Sequence, residues 1–203
     1  MAEADKPFLA VIWFGNPHGP HIGVDKFLAP YAKEAKAMQN FYAEITGMDA
    51  AMGELRKGLR DINKHEETLL WYTSDNGGLK PNSMGGLSGK KGNLLEGGIR
   101  VPAILEWPAR IPEPRTSSAP CNTSDFYPTL LELAGVSLPK GQPPLDGISL
   151  VPLIEGKTDI RKQAMGFWDF PAPGRGRRAR AMLESLRKEQ QAGEVKPAPQ
   201  EGH

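Results

Sequence analysis

Apolar and polar positions along the chain fall into a few regular patterns. Residues 8–14, FLAVIWF, form a continuous apolar run rich in β-formers, the pattern of a strand covered on both faces. This strand is expected to be buried and to exit at GNPHGPH, a Gly/Pro loop holding His18 and His21. Residues 40–64 predict an amphipathic helix, because Phe41, Ile45, Met48, Met52, Leu55 and Leu59 recur at steps of three and four with charges between them. A second apolar run, TLLWYTS at 68–74, predicts a second buried strand and so a strand–helix–strand unit.

The remaining patterns are shorter. Residues 77–100 read as a Gly-rich loop, long for a structureless connection, and such loops are usually functional or disordered. VPAILEWP at 101–108 predicts a third short strand ended by proline. TSDFYPTLLELAGV at 123–136 predicts a helix with Ser124 or Asp125 as its N-cap and Gly135 as its stop. PLDGISLVPLIEG at 144–156 is compact and turn-rich. Beyond about residue 157 the chain turns basic and irregular, with GRGRRARAMLESLRKEQQ expected to be partly helical and KPAPQEGH frayed. Strands followed by loops and an intervening helix give an α/β fold class.

Composition narrows the partners more than the fold. A length of 203 residues suits one domain, or a domain with a small appendage. Twenty-five Lys and Arg face 24 Asp and Glu, so charge gives no case for nucleic acid or an acidic membrane surface. Residues 174–180, GRGRRAR, cluster Arg175, Arg177, Arg178 and Arg180 just after Phe167, Trp168 and Phe170. No recognised nucleic-acid module surrounds them, and a solvated loop or a rim facing a polyanion is expected instead. The opening apolar stretch is too short to span a bilayer and lacks the basic flank of a signal peptide. Neither a membrane span nor a signal peptide is expected, and the compartment stays open. Cys121 is the single cysteine, which rules out an intrachain disulfide and points to a packing role.

Three polar clusters follow the apparent strands: His18 with His21, Asp75 with Asn76, and Lys90 with Lys91. In open α/β sheets that is where ligands sit. Asp75 and Asn76 offer a carboxylate and an amide oxygen, hard donors suited to Ca²⁺ or Mg²⁺. Two donors do not complete a site that wants six or more, and DNGG is also an ordinary turn composition. His18 can donate a proton or bind an anion oxygen, or simply be a surface loop residue. Lys91 can neutralise an oxyanion as a point charge, or be a solvated loop lysine.

Taken in order, PHGPH, YAEITGMDAAMG, TSDNGG, GKKGNLLEGGIRVPAILEWP, TSDFYPTLLELAG and PLDGISLVPLIEG form a series that resembles the later part of the sulfatases. These are the arylsulfatase-like members of the alkaline phosphatase superfamily, and the resemblance covers residues 7–156. It implies the later part of a mostly parallel sheet flanked by helices, with residues 1–156 in the catalytic domain and 157–203 beginning an incomplete C-terminal subdomain. MGFWDFPAPGRG would be that subdomain's first strand and loop. It implies hydrolysis of sulfuric esters, on a carbohydrate or aryl sulfate.

By the same resemblance, Asp75 and Asn76 bind calcium, His18 contacts the sulfate ester and helps protonate the leaving oxygen, and Lys91 holds sulfate oxygens. Lys90 competes for that last role, although the spacing to Glu96 and Gly97 favours Lys91. The family's Cys- or Ser-x-Pro-x-Arg motif, whose first residue becomes formylglycine, is absent from these 203 residues, as is the paired acidic motif that completes the calcium site. The chain is therefore expected to be a fragment, inactive alone, whose partner is a missing N-terminal half. The related phosphonate and phosphodiester hydrolases, or a non-catalytic remnant binding an anion or another chain, are the rival readings.

Overall fold

The computed structural model describes residues 6–80 and 83–165. The predicted C-terminal helix, the strand and loop after Met165, the arginine cluster and the frayed end lie outside the described residues. The chain divides into two compact units, Met1–Leu70 with Glu106–Pro112 and Trp71–Leu105 with Glu113–His203.

The first unit is built on one long helix. A short helix α1, Asp25–Leu28, and a 3₁₀ turn, Ala29–Tyr31, lead into α2, Lys36–Asp61. The expected stripe on α2 turns inward, with Phe41 and Leu59 buried and Met48, Met52 and Leu55 half-buried. Ile45 is the exception, 37% exposed. Glu44, one residue before it, is buried at 4% exposure although it lies no nearer the centre of that face. A second face carries small residues: Ala43 is fully buried, and Gly47 lets the Phe27 ring come close. The helix stops at Asn63, which adopts the left-handed conformation (φ 53°), while Lys64 N–H donates to the Leu59 carbonyl; asparagine is one of the few residues that tolerates this stop. Residues 106–112 join the same unit, and Glu106 receives Arg56 through two bonds of 2.6 and 3.0 Å and Arg60 through one of 3.2 Å. The Arg56 hydrogen bonds hold the Glu106 carboxyl below the usual carboxylate range against the opposing effect of burial, with the Arg56 and Arg60 charges adding to the pull.

Residues 8–14 correct the sequence reading. They belong to no strand among the described residues and are exposed, Leu9 at 65%, Val11 at 66% and Trp13 at 91%. A strand exists only through a pairing partner, and the sheet among the described residues pairs Leu70–Thr73 with Ala103–Glu106 alone. The apolar run has the composition of a buried strand and nothing in the described chain to cover it.

The second unit holds all but the end residues Leu70 and Glu106 of the strand pair β1, Leu70–Thr73, and β2, Ala103–Glu106, each shorter than its apolar run. Helices α3 (Glu96–Ile99), α4 (Phe126–Leu133) and α5 (Val151–Ile154) complete it. Trp71 meets the Phe126 ring edge-on at 4.4 Å between centroids. Asp125, one of the two expected caps, stands at the N-cap position of α4 without a side-chain cap bond there, and Asn122 caps the 3₁₀ turn Thr123–Asp125 that opens into the helix. The Asn122 side chain accepts from Ser124 N–H at 3.0 Å, and Asp125 returns a bond to Asn122 N–H at 2.8 Å, a reciprocal capping box. Gly135, at φ +64°, ends the helix as expected.

Asp125 does more than cap. It is fully buried, and accepts Ile148 N–H at 2.9 Å and a bidentate Arg161 at 2.7 and 3.0 Å. Thr129, also fully buried, donates to the Asp125 carbonyl at 2.6 Å and accepts Leu150 N–H at 2.9 Å. Those two side chains fasten residues 144–156 to α4. The turn-rich reading of that segment holds, with α5 added. Burial pushes the Asp125 carboxyl up, but the Arg161 hydrogen bonds, the Asn122 and Ile148 amides and the Arg161 charge together hold it below the ordinary carboxylate range. A depressed carboxyl contributes stability above its unfolded value, near pH 4, and loses it as pH falls through the lower folded value. Asp125→Asn should cost about 3–5 kcal/mol at neutral pH, since it leaves Arg161 buried without its counter-charge. The acid-dependent part of the unfolding curve should also flatten, as read by circular dichroism across pH 2–7.

Candidate functional site

Strand β1 ends at Thr73, and the next residues deliver Asp75, exposed, and Asn76, half-buried. Ser74 Oγ donates to the Asn76 carbonyl at 3.0 Å and lies 3.4 Å from Asp75 Oδ1, so the turn is braced by its own first residue. Gly77 is buried against α3. Its N–H donates to the Gly98 carbonyl at 2.9 Å, and a Cβ there would fall 1.9 Å from the Gly97 carbonyl oxygen. Only a residue without a side chain fits at that distance.

The Gly-rich stretch, long for a structureless connection, is held by its own backbone. Gly97 N–H donates to Ser88 O at 2.7 Å, Asn93 N–H to Lys90 O at 2.9 Å, and Lys91 N–H to Gly78 O at 2.9 Å. Asn93 Oδ1 also accepts Lys90 N–H at 3.1 Å. Backbone groups of a Gly-rich stretch must find partners somewhere, and here they find one another across 77–98. The Asp75–Gly78 turn and Lys91 are thereby brought together in the second unit. Lys91 is half-buried with its amide on the turn, while Lys90 is exposed.

Among the described residues, no group of three or more His, Cys, Asp or Glu is arranged to hold a metal. Asp75 and Asn76 fit a hard cation by donor type, as part of a set.

His18 lies in the first unit. It is exposed, its N–H donates to Gly15 O at 3.2 Å and its Nδ1 lies 2.9 Å from Gly19 O. A carbonyl only accepts, so Nδ1 carries the proton and Nε2 is the ring atom able to exchange one with a ligand. The neighbouring His21 turns the other way: its Nδ1 donates to Glu44 Oε2 at 2.7 Å. Glu44 is a residue the sequence reading missed. The available signal was a carboxylate at helical spacing between Phe41 and Met48, where burial demands a partner.

Cys121 is exposed, not packed in a core. Partial burial of its sulfur, and then the Asp125 charge, push the thiol up, with Arg161 opposing. The thiolate is disfavoured, which makes it a poor nucleophile. No described helix is long and apolar enough to cross a membrane.

Comparison with known proteins then decides the family. The sulfatase profile matches residues 1–136. The chain belongs to the sulfatase family. A second profile, the C-terminal region of N-sulphoglucosamine sulphohydrolase, matches residues 89–188. Human arylsulfatase A is 34% identical over 188 residues, covering 87% of this chain and 35% of its own. Mouse steryl-sulfatase is 32% identical over 162 residues, covering 74% of this chain and 25% of its own. The chain thus spans between a quarter and about a third of the length of these relatives. The solved structure of Ps i-CgsB superposes with a TM-score of 0.68 at 23% identity, over 88% of this chain and 48% of that one, which establishes the α/β fold. A protein solved in complex with its substrate, D-glucosamine-2-N,6-O-disulfate, superposes with a TM-score of 0.53 at 30% identity, over 73% and 32% of the two chains.

The sulfatase turn depends on the contact between Gly77 and Gly97. Gly77→Ala should cost about 1–3 kcal/mol, the usual penalty of overpacking, and proteolysis should move into 77–98. Gly53, where a Cβ would meet nothing within 4 Å, supplies the control, since Gly53→Ala in mid-helix should stabilise slightly.

Proposed function

We propose that this chain supplies part of the metal and sulfate pocket of a sulfuric ester hydrolase. The observation that supports the reading is the Lys91 amide on the Gly78 carbonyl, which ties the backbone of a lysine to the turn that begins with Asp75 and Asn76 in a sulfatase-family chain. Asp75 and Asn76 would hold calcium through their side-chain oxygens, and the bound cation would draw negative charge off the sulfate group. Lys91 would neutralise a sulfate oxygen, and its backbone anchor limits the reach its ammonium must search. His18, with Nδ1 committed to Gly19 O, would give a proton from Nε2 to the leaving oxygen, where charge builds as the ester bond breaks.

A carbohydrate or aryl sulfate is the proposed substrate class. The sugar reading is supported by the related protein solved with a glucosamine disulfate. No Cys- or Ser-x-Pro-x-Arg stands in the sequence, so the nucleophile comes from polypeptide outside these 203 residues. The exposed apolar run 8–14 is the surface that such a segment would cover.

Two measurements test this. Calorimetry on the 203-residue chain should show millimolar Ca²⁺ affinity or none, because two donors stand against a preferred six to eight. Micromolar binding abolished by Asp75→Ala would mean that the chain completes the site itself. Aryl sulfate turnover should be undetectable with the chain alone, and should appear when a segment carrying the nucleophile motif is supplied, falling at least about 100-fold in Lys91→Ala. Turnover by the isolated chain that vanishes in His18→Ala would overturn the proposal.

A further inference from the structure

The first unit contains a buried charge that the proposed chemistry does not use. The Glu44 side chain is 4% exposed, and an ionised carboxylate in such a place costs several kcal/mol unless it is paired. Both oxygens are taken by the loop that carries His18: Oε2 accepts His21 Nδ1 at 2.7 Å and Oε1 accepts Ile22 N–H at 2.8 Å. The next residue is held too, as Gly23 N–H donates to Asn40 Oδ1 at 3.1 Å. Asn40 is itself oriented by its Nδ2 on the Lys36 carbonyl at 3.0 Å. The His21 ring packs edge-on against Phe41, 5.2 Å between centroids at 72°. A Cβ on Gly23 would fall 2.6 Å from that of Ala43, so this backbone lies directly on α2.

Three consecutive residues, 21–23, are thus fixed on one helix by two side chains one turn apart. Only Gly19 and Pro20 separate His18 from that anchor. Three residues span at most about 11 Å, and the proline ring removes one of the few free dihedrals. His18 closes the rest of the loop with its own bonds to Gly15 and Gly19.

We propose that Glu44 is a positioning residue for His18, acting through His21 and the Ile22 amide. The proposal rests on the reading of His18 as proton donor, since a donor must be held close to its productive geometry to be useful. His21 is then a tether and not a second acid, because its Nδ1 is committed to a buried carboxylate. The two adjacent histidines divide the work, one facing the helix and one left open.

The test is carried out on the full 203-residue chain labelled with ¹⁵N-histidine, with the His18 signal assigned through His18→Gln. In the unaltered chain His18 should show the Nδ1-protonated tautomer set by Gly19. Glu44→Ala should collapse that signature to the mixture of a free imidazole. It should also speed amide exchange across 18–23 by at least about tenfold, the factor that about 1.4 kcal/mol represents. Glu44→Gln, which keeps an acceptor for Ile22, should restore part of the protection. His21→Asn, which lies outside α2, should reproduce the His18 change, and it decides the question if Glu44→Ala lowers helix content. Release of 21–23 with the His18 tautomer unchanged in both variants would overturn the proposal, leaving Glu44 as a docking contact only. No step of this test reads sulfate ester turnover, so failure of the hydrolase reading and failure of the positioning role give different results.

Discussion

The approach of Gly77 to Gly97 and Gly98 is the constraint on which the second unit's site depends. Two stretches of backbone meet with no side chain between them, and their amides and carbonyls satisfy one another. Bulk at Gly77 would push the Asp75–Asn76 turn off α3, and the Lys91 bond to Gly78 would lengthen with it. Asp75 and Asn76 stand in front of these glycines, the first exposed and the second half-buried.

The first unit reaches a similar end by the opposite means. There a long helix presents two faces, one apolar and one of small residues, and a buried charge at the junction seizes a loop. Glu44 would be destabilising by itself; together with His21 and the Ile22 amide it becomes a fastening whose direction is fixed by hydrogen-bond geometry. Apolar contacts tolerate sliding, but a carboxylate shared between two donors does not.

Much of this was legible in the sequence, for identifiable reasons. Helix α2 and strand β1 carry strong periodic signals, and both occur where the pattern puts them. The order of motifs pointed to the sulfatases, and the family profile agrees. Residues 8–14 misled because a continuous apolar run reports a demand for burial without naming what meets it. The loop 77–100 misled because glycine composition looks like disorder until its backbone partners, up to about twenty residues away, are known. Asp125 takes the N-cap position of α4 as one of the two expected residues, but the 3₁₀ turn before it, capped by Asn122, has no periodic signal in the sequence. Glu44 looked like an ordinary helix-surface charge, and its burial depends on a loop that lies well before it in the chain.

Asp125 joins three places in the chain: Asn122 beside it, Ile148 and, 36 residues on, Arg161. During synthesis these appear in that order. Helix α4 can form with its capping box as soon as it leaves the ribosome, but its carboxylate then faces water. The segment holding Ile148 and Leu150 can dock next. Only when Arg161 emerges does the buried charge acquire its counter-charge, so a chain paused between the two would hold α4 and residues 144–156 with their lock still open.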